Sequence, residues 1–143
     1  MAAYEICPRV WFGPAGLTYR PVEMMRFTHI VNCSGQASST NIWARHGREF
    51  LYLESWDTED FPILERHLEA VCAFIEEALT AGREAQVYIH CLMGINRSAT
   101  LAIGYRCWKQ KEAAVDVIQQ VRMDIGRTVL TNSGFVEQLV GRF

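Results

Sequence analysis

Apolar residues cluster in five short runs, each bounded by polar or turn-forming residues: Tyr4–Ile6, Val10–Phe12, Ile30–Asn32, Phe50–Leu53 and Val87–Ile89. These read as strands. Elsewhere the period changes. Leu64, Leu68, Val71, Ile75 and Leu79 recur at helical spacing, which predicts a long helix from Pro62 to Leu79 with its stripe in the core. A short helix is expected from Pro21 to Phe27. Ser98 to Trp108 includes apolar Leu101, Ile103 and Cys107 and is predicted to be buried in the middle of the fold. Ala113–Val121 and Gly134–Val140 read as further helices. This alternation implies an α/β fold, a single domain with a sheet flanked by helices. Gly35 to Gly47 is polar and Ser-rich and reads as a loop bordering a cleft. Its Trp43 is as readily surface packing as a substrate contact.

The last strand runs directly into His90-Cys91-Leu92-Met93-Gly94-Ile95-Asn96-Arg97-Ser98, which is followed at once by the buried helix. A loop that wraps and then enters a helix can direct several backbone N–H groups at a phosphate dianion, with the helix dipole behind them. The backbones of Leu92, Met93, Gly94, Ile95 and Asn96 would supply those donors. Gly94 permits the close approach and unusual dihedrals that the loop needs. The planar guanidinium of Arg97 can grip two phosphate oxygens at once. Cys91 at the centre of such a cradle is expected to act as a thiolate nucleophile. Ser98 can donate a hydrogen bond to the sulfur and help it leave. His90 is expected to orient the loop through its ring nitrogens.

Expelling an alkoxide or phenoxide calls for a proton donor. The segment Glu54-Ser55-Trp56-Asp57-Thr58-Glu59-Asp60-Phe61 follows a strand and offers four carboxylates. Asp57 is the candidate acid, because it follows the strand closely and Trp56 stands beside it to desolvate it. Asp60 is the alternative, although Glu59 and Asp60 also suit the N-terminus of the helix near Pro62.

With these residues the chain resembles the small dual-specificity protein phosphatases, cellular and viral, of the cysteine-dependent protein tyrosine phosphatase superfamily. The resemblance runs from Pro8–Gly13 and His29–Asn32, through Trp56-Asp57-Thr58 and the signature His90–Leu101, to Asn132-Ser133-Gly134-Phe135. It implies a protein tyrosine phosphatase-like fold with a central, mostly parallel five-stranded sheet, residues 1–143 forming one catalytic domain. It also implies Cys91 as nucleophile, Arg97 as phosphate clamp, Asp57 as acid and Ser98 as leaving-group helper. Leu92 and Met93 depart from the family, which usually has a small or polar residue at one of these positions. Arg127 is the candidate for a second phosphate contact that many members carry. The implied substrates are phosphorylated proteins, bearing phosphotyrosine and phosphoserine or phosphothreonine. A phosphoinositide or RNA 5′-phosphatase using the same loop is the alternative, but such enzymes often place lysines there and this loop has none. A phosphate-binding module without turnover is the third reading.

Composition narrows the setting. A chain of 143 residues suits one domain, and half of its residues are hydrophobic. A net charge of −2 suggests no polyanion surface, so no nucleic-acid partner is expected. No apolar run would span a bilayer. The opening Met1-Ala2-Ala3-Tyr4-Glu5 has neither a secretory pattern nor the glycine that N-myristoylation requires. Five cysteines without a C-x-x-C pair argue against a disulfide framework or structural zinc and fit a cytoplasmic or nuclear setting. His29, His46 and His67 show no metal spacing, and no cofactor or metal is expected. Cys7, Cys72 and Cys107 read as packing residues. Cys33 reads the same way first, with a disulfide to an oxidised Cys91 as the alternative.

Overall fold

Every residue of the strand Val87–Cys91 is buried, as a strand covered on both faces requires. In the computed structural model, which describes residues 2–35, 47–126 and 128–143, this strand (β5) is the centre of a five-stranded sheet. The others are β1 (Tyr4–Cys7), β2 (Val10–Pro14), β3 (His29–Asn32) and β4 (Glu49–Tyr52), in spatial order β1-β2-β5-β3-β4. Only β1 and β2 pair antiparallel; β2–β5, β5–β3 and β3–β4 are parallel. The expected mostly parallel sheet is therefore observed. Its register sets Pro14 beside Cys91 and Asn32 beside His90. The carboxyl ends of the parallel strands thus meet at one edge, where α/β folds place their sites.

The helices are α1 (Pro21–Met24), α2 (Glu69–Ala81), α3 (Arg97–Gln110), α4 (Ala114–Ile125) and α5 (Ser133–Arg142). Two depart from expectation. The short helix ends at Met24 and follows a 3₁₀ turn, Ala15–Tyr19, that no sequence signal marked. The long helix opens with a π-helical turn, Leu64–Leu68, before α2. Here His67 Nε2 donates to the carbonyl of Glu54 at 2.7 Å, drawing this turn toward the segment after β4. The predicted stripe is in the core, with Leu64, Leu68, Val71 and Ile75 buried and Leu79 partly so. Helix α3 lies behind the sheet edge with Leu101, Ile103 and Cys107 buried. The loop reading for Gly35 to Gly47, with Trp43 and His46, falls on residues 36–46, outside the described set, as does Arg127. No helix among the described residues is long and apolar enough to cross a membrane.

Candidate active site

β5 ends at Cys91 and α3 starts at Arg97, so the five residues between them must turn within a small space. Gly94 makes this possible. Its φ is +75°, and a Cβ there would stand 2.4 Å from the carbonyl carbon of Gly13 and 2.5 Å from the nitrogen of Pro14. Gly94→Ala is therefore expected to destabilise the fold by roughly 2–4 kcal/mol, from left-handed strain plus overpacking. Urea unfolding at neutral pH checks this.

The loop is braced from outside. Ala15 N–H donates to the carbonyl of Leu92 at 3.1 Å, and Leu130 N–H to that of Ile95 at 2.7 Å. Inside, Cys91 is buried, and its Sγ accepts the Gly94 N–H at 3.2 Å. The Ser98 hydroxyl lies 3.2 Å from the same sulfur and 3.4 Å from the carbonyl of Gly13. The Gly94 N–H and the Ser98 hydroxyl thus both lie within reach of the Cys91 sulfur. Leu92 and Met93 point outward and are half or more exposed, giving the loop an apolar rim.

Among the described residues, Arg97 is held by backbone carbonyls. Its Nη1 donates to the carbonyl of Ser34 at 2.9 Å and to that of Ser55 at 3.0 Å. One anchor follows β3 and the other follows β4, so the guanidinium plane is fixed by two loops. Its Nε is buried and has no partner among the described residues, leaving an N–H for an oxyanion.

Asp57 lies over the same loop, brought there by contacts that the sequence did not advertise. Its Oδ2 accepts from Asn96 Nδ2 at 3.0 Å, and its Oδ1 from Asn132 Nδ2 at 2.8 Å. The proposed desolvation by Trp56 is not observed: Asp57 is exposed, and Trp56 packs edge-on against Phe61 at 5.6 Å. Glu59, which reads with Asp60 as a charge at the N-terminus of the helix near Pro62, also accepts from Ser133 at the start of α5, at 2.7 Å. Asn132 was legible only as part of a resemblance; its amide caps α5 by accepting Phe135 N–H at 3.2 Å.

The expectation for His90 is corrected. Neither ring nitrogen makes a hydrogen bond among the described residues, and the ring stacks on Tyr88 at 5.8 Å. Burial pushes its imidazole down to about 4, against a smaller opposing pull from the Cys91 backbone. An unfolded histidine titrates near ~6.5. Between those values the unfolded chain binds a proton that the folded chain refuses. His90 therefore costs no stability above pH ~6.5, and folding weakens as pH falls toward 4, by on the order of 3 kcal/mol. Urea midpoints at pH 7 and pH 4.5 should fall further for the wild type than for His90→Gln.

The other thiols behave as packing groups. Burial pushes Cys7 up to about 12, Cys72 and Cys107 up to about 11, and Cys33 well above the ordinary thiol range. Cys33 donates its thiol to the carbonyl of His90 at 3.1 Å. Among the described residues no cluster of three or more His, Cys, Asp or Glu is arranged to hold a metal ion.

The family model for the catalytic domain of dual specificity phosphatases matches residues 13–142. The chain is 30% identical over 141 residues to dual specificity protein phosphatase 13B of Mus musculus, covering 94% of this chain and 69% of that protein. It is 28% identical over 144 residues to dual specificity protein phosphatase 26 of Bos taurus, covering 96% and 65% respectively. The fold matches the crystal structure of DUSP15 with a TM-score of 0.83 over 97% of this chain and 85% of that one, at 21% identity. The chain belongs to the dual specificity phosphatase family, and its α/β fold is that of the protein tyrosine phosphatases. The activity that goes with this catalytic domain is removal of phosphate from proteins.

Proposed function

We propose that residues 1–143 form one catalytic domain that hydrolyses phosphotyrosine and phosphoserine or phosphothreonine in proteins through a cysteinyl-phosphate intermediate. The observation that supports this most directly is convergence: the Cys91 sulfur, its two donors, the free Nε of Arg97 and the carboxyl of Asp57 all face one loop. The phosphate enters with its oxygens on the loop N–H groups of Leu92 to Asn96 and on Arg97. The Cys91 thiolate attacks phosphorus and forms the S–P bond. The P–O bond breaks, its electron pair goes to the leaving oxygen, and Asp57 gives that oxygen a proton. In the second step Asp57 takes a proton from water as the water oxygen attacks phosphorus, and sulfur departs with Ser98 donating to it. Arg97 meets the charge that builds on the equatorial oxygens in both steps.

The apolar rim of Leu92 and Met93 favours a peptide over a multiply charged lipid or RNA phosphate, which would call for further cations. A nucleophile that must stay reduced, together with five unpaired cysteines, supports action in the reducing cytoplasm or nucleus, on protein partners rather than nucleic acid or membrane.

The test is phosphate release from matched phosphotyrosine and phosphothreonine peptides. Release from both is expected, with Asp57→Asn slower by roughly 10²–10⁴-fold. Release from neither overturns the proposal.

A further inference from the structure

Asp57 has no buried pocket to fix it, yet its carboxylate is gripped on both oxygens. Each grip comes from a buried amide whose orientation is not free. Asn96 Oδ1 accepts the backbone N–H of Asn132 at 2.9 Å, which leaves only its Nδ2 to face Asp57. Asn132 Oδ1 accepts Phe135 N–H, which likewise turns its Nδ2 toward Asp57. These contacts close a ring through Asp57, Asn96 and Asn132, and Thr131 Oγ1 braces it from the side, accepting from Asn96 Nδ2 at 3.1 Å. A carboxylate oxygen has two lone pairs. One N–H on each oxygen therefore fixes the roll and tilt of the group and leaves a second lone pair on each oxygen for the proton in transit.

Asn96 is unusual in this ring because it sits in the phosphate loop itself. Its backbone belongs to the cradle around Cys91, and its carbonyl accepts from both Thr100 N–H and the Thr100 hydroxyl, at 2.9 and 2.7 Å. The residue before Arg97 thus ties the acid to the nucleophile's own loop.

We propose that Asn96 is a positioning residue for the general acid: its side-chain N–H holds Asp57 in register with the leaving-group oxygen above Cys91. This rests on the phosphatase mechanism above. It assigns to Asn96 a role in the step where the P–O bond breaks and Asp57 delivers its proton, and none in gripping the phosphate through its side chain.

The consequence is selective. An ester whose phenol is very acidic leaves without a proton and has no use for a positioned acid. Phenyl phosphate and a phosphothreonine peptide both need one. The readout is kcat/KM, which covers binding through release of the alcohol. For Asn96→Ala we expect a loss of about tenfold or more on phenyl phosphate and the phosphothreonine peptide, against about twofold or less on 2,4-dinitrophenyl phosphate. Inhibition by vanadate, which reports the oxyanion cradle, should stay within about twofold of wild type. On an Asp57→Ala background the same substitution should cost nothing further. Asn96→Asp keeps the size and the Asn132 partner but turns an oxygen toward Asp57. Because its charge would weaken binding of every phosphate ester and of vanadate, the guard against an alanine variant that folds poorly is instead Asn96→Leu, which fills the same volume with no N–H for Asp57 and no charge, and which should show the same selective loss. A uniform loss on all esters, a loss that persists on the Asp57→Ala background, or no loss overturns the role of Asn96 alone. A folded wild type that turns over none of the esters overturns the phosphatase reading and this inference with it.

Discussion

Cys91→Ser is expected to abolish phosphate release from both phosphopeptides, by on the order of 10⁵-fold or more, with the fold intact. The substitution is nearly isosteric and the site is already polar: the Gly94 N–H and the Ser98 hydroxyl that face the sulfur can face a hydroxyl instead. What disappears is the nucleophile. A serine hydroxyl holds its proton at neutral pH, and among the described residues no general base touches position 91; His90 points its ring onto Tyr88 and is held neutral by burial. The phosphate cradle survives, so the variant should still bind a phosphotyrosine peptide. Isothermal titration alongside a phosphate-release assay checks both halves. Residual turnover within a hundredfold of wild type would assign the nucleophile elsewhere.

Arg97→Lys carries the second largest expected loss, roughly 10²–10³-fold in kcat/KM. A lysine keeps the charge but not the fork. In the native site one nitrogen is committed to the carbonyls of Ser34 and Ser55, while Nε stays free for the substrate. An ammonium on a flexible stem cannot do both. If it satisfies the two carbonyls it withdraws from the phosphate, and if it reaches the phosphate it leaves two backbone acceptors unpaired. Vanadate affinity should fall together with turnover, in contrast to the Asn96 variants, where it should hold. Steady-state kinetics with vanadate competition separates the two patterns.

The sheet and the catalytic loop were legible because their signals are local. Val87-Tyr88-Ile89 is an apolar run of strand length, and the cysteine, glycine, arginine and serine that follow it each meet a distinct physical demand within nine residues. Asp57 was named as the candidate acid for its closeness to a strand and for Trp56 beside it, and the second reason does not hold. Trp56 is a neighbour in sequence and packs away onto Phe61, whereas the partners of Asp57 lie 39 and 75 positions further along the chain. Amide-to-carboxylate contacts at that range leave no periodicity to read. His90 failed for a related reason. It was given a loop-orienting role through its ring nitrogens because a thiolate needs no base, but in a strand buried on both faces neither nitrogen has a partner among the described residues and the ring stacks on Tyr88. The π-helical turn after Pro62 was also invisible, because the apolar stripe runs unbroken through it at Leu64 and Leu68 and so does not tell it from an α-helical turn.

The contact between the acid segment and the start of α5 is close enough to set an order of events. A Cβ on Gly134 would lie 1.9 Å from the carbonyl oxygen of Glu59, so backbone meets backbone there, with Ser133 and Asn132 bonding on either side. Ribosomes make a chain from its amino end, so Asp57, Cys91 and Arg97 all emerge before residues 132–134 exist. A nascent chain therefore carries Cys91 and Arg97 before Asn132, one of the two amides that hold Asp57, has been added.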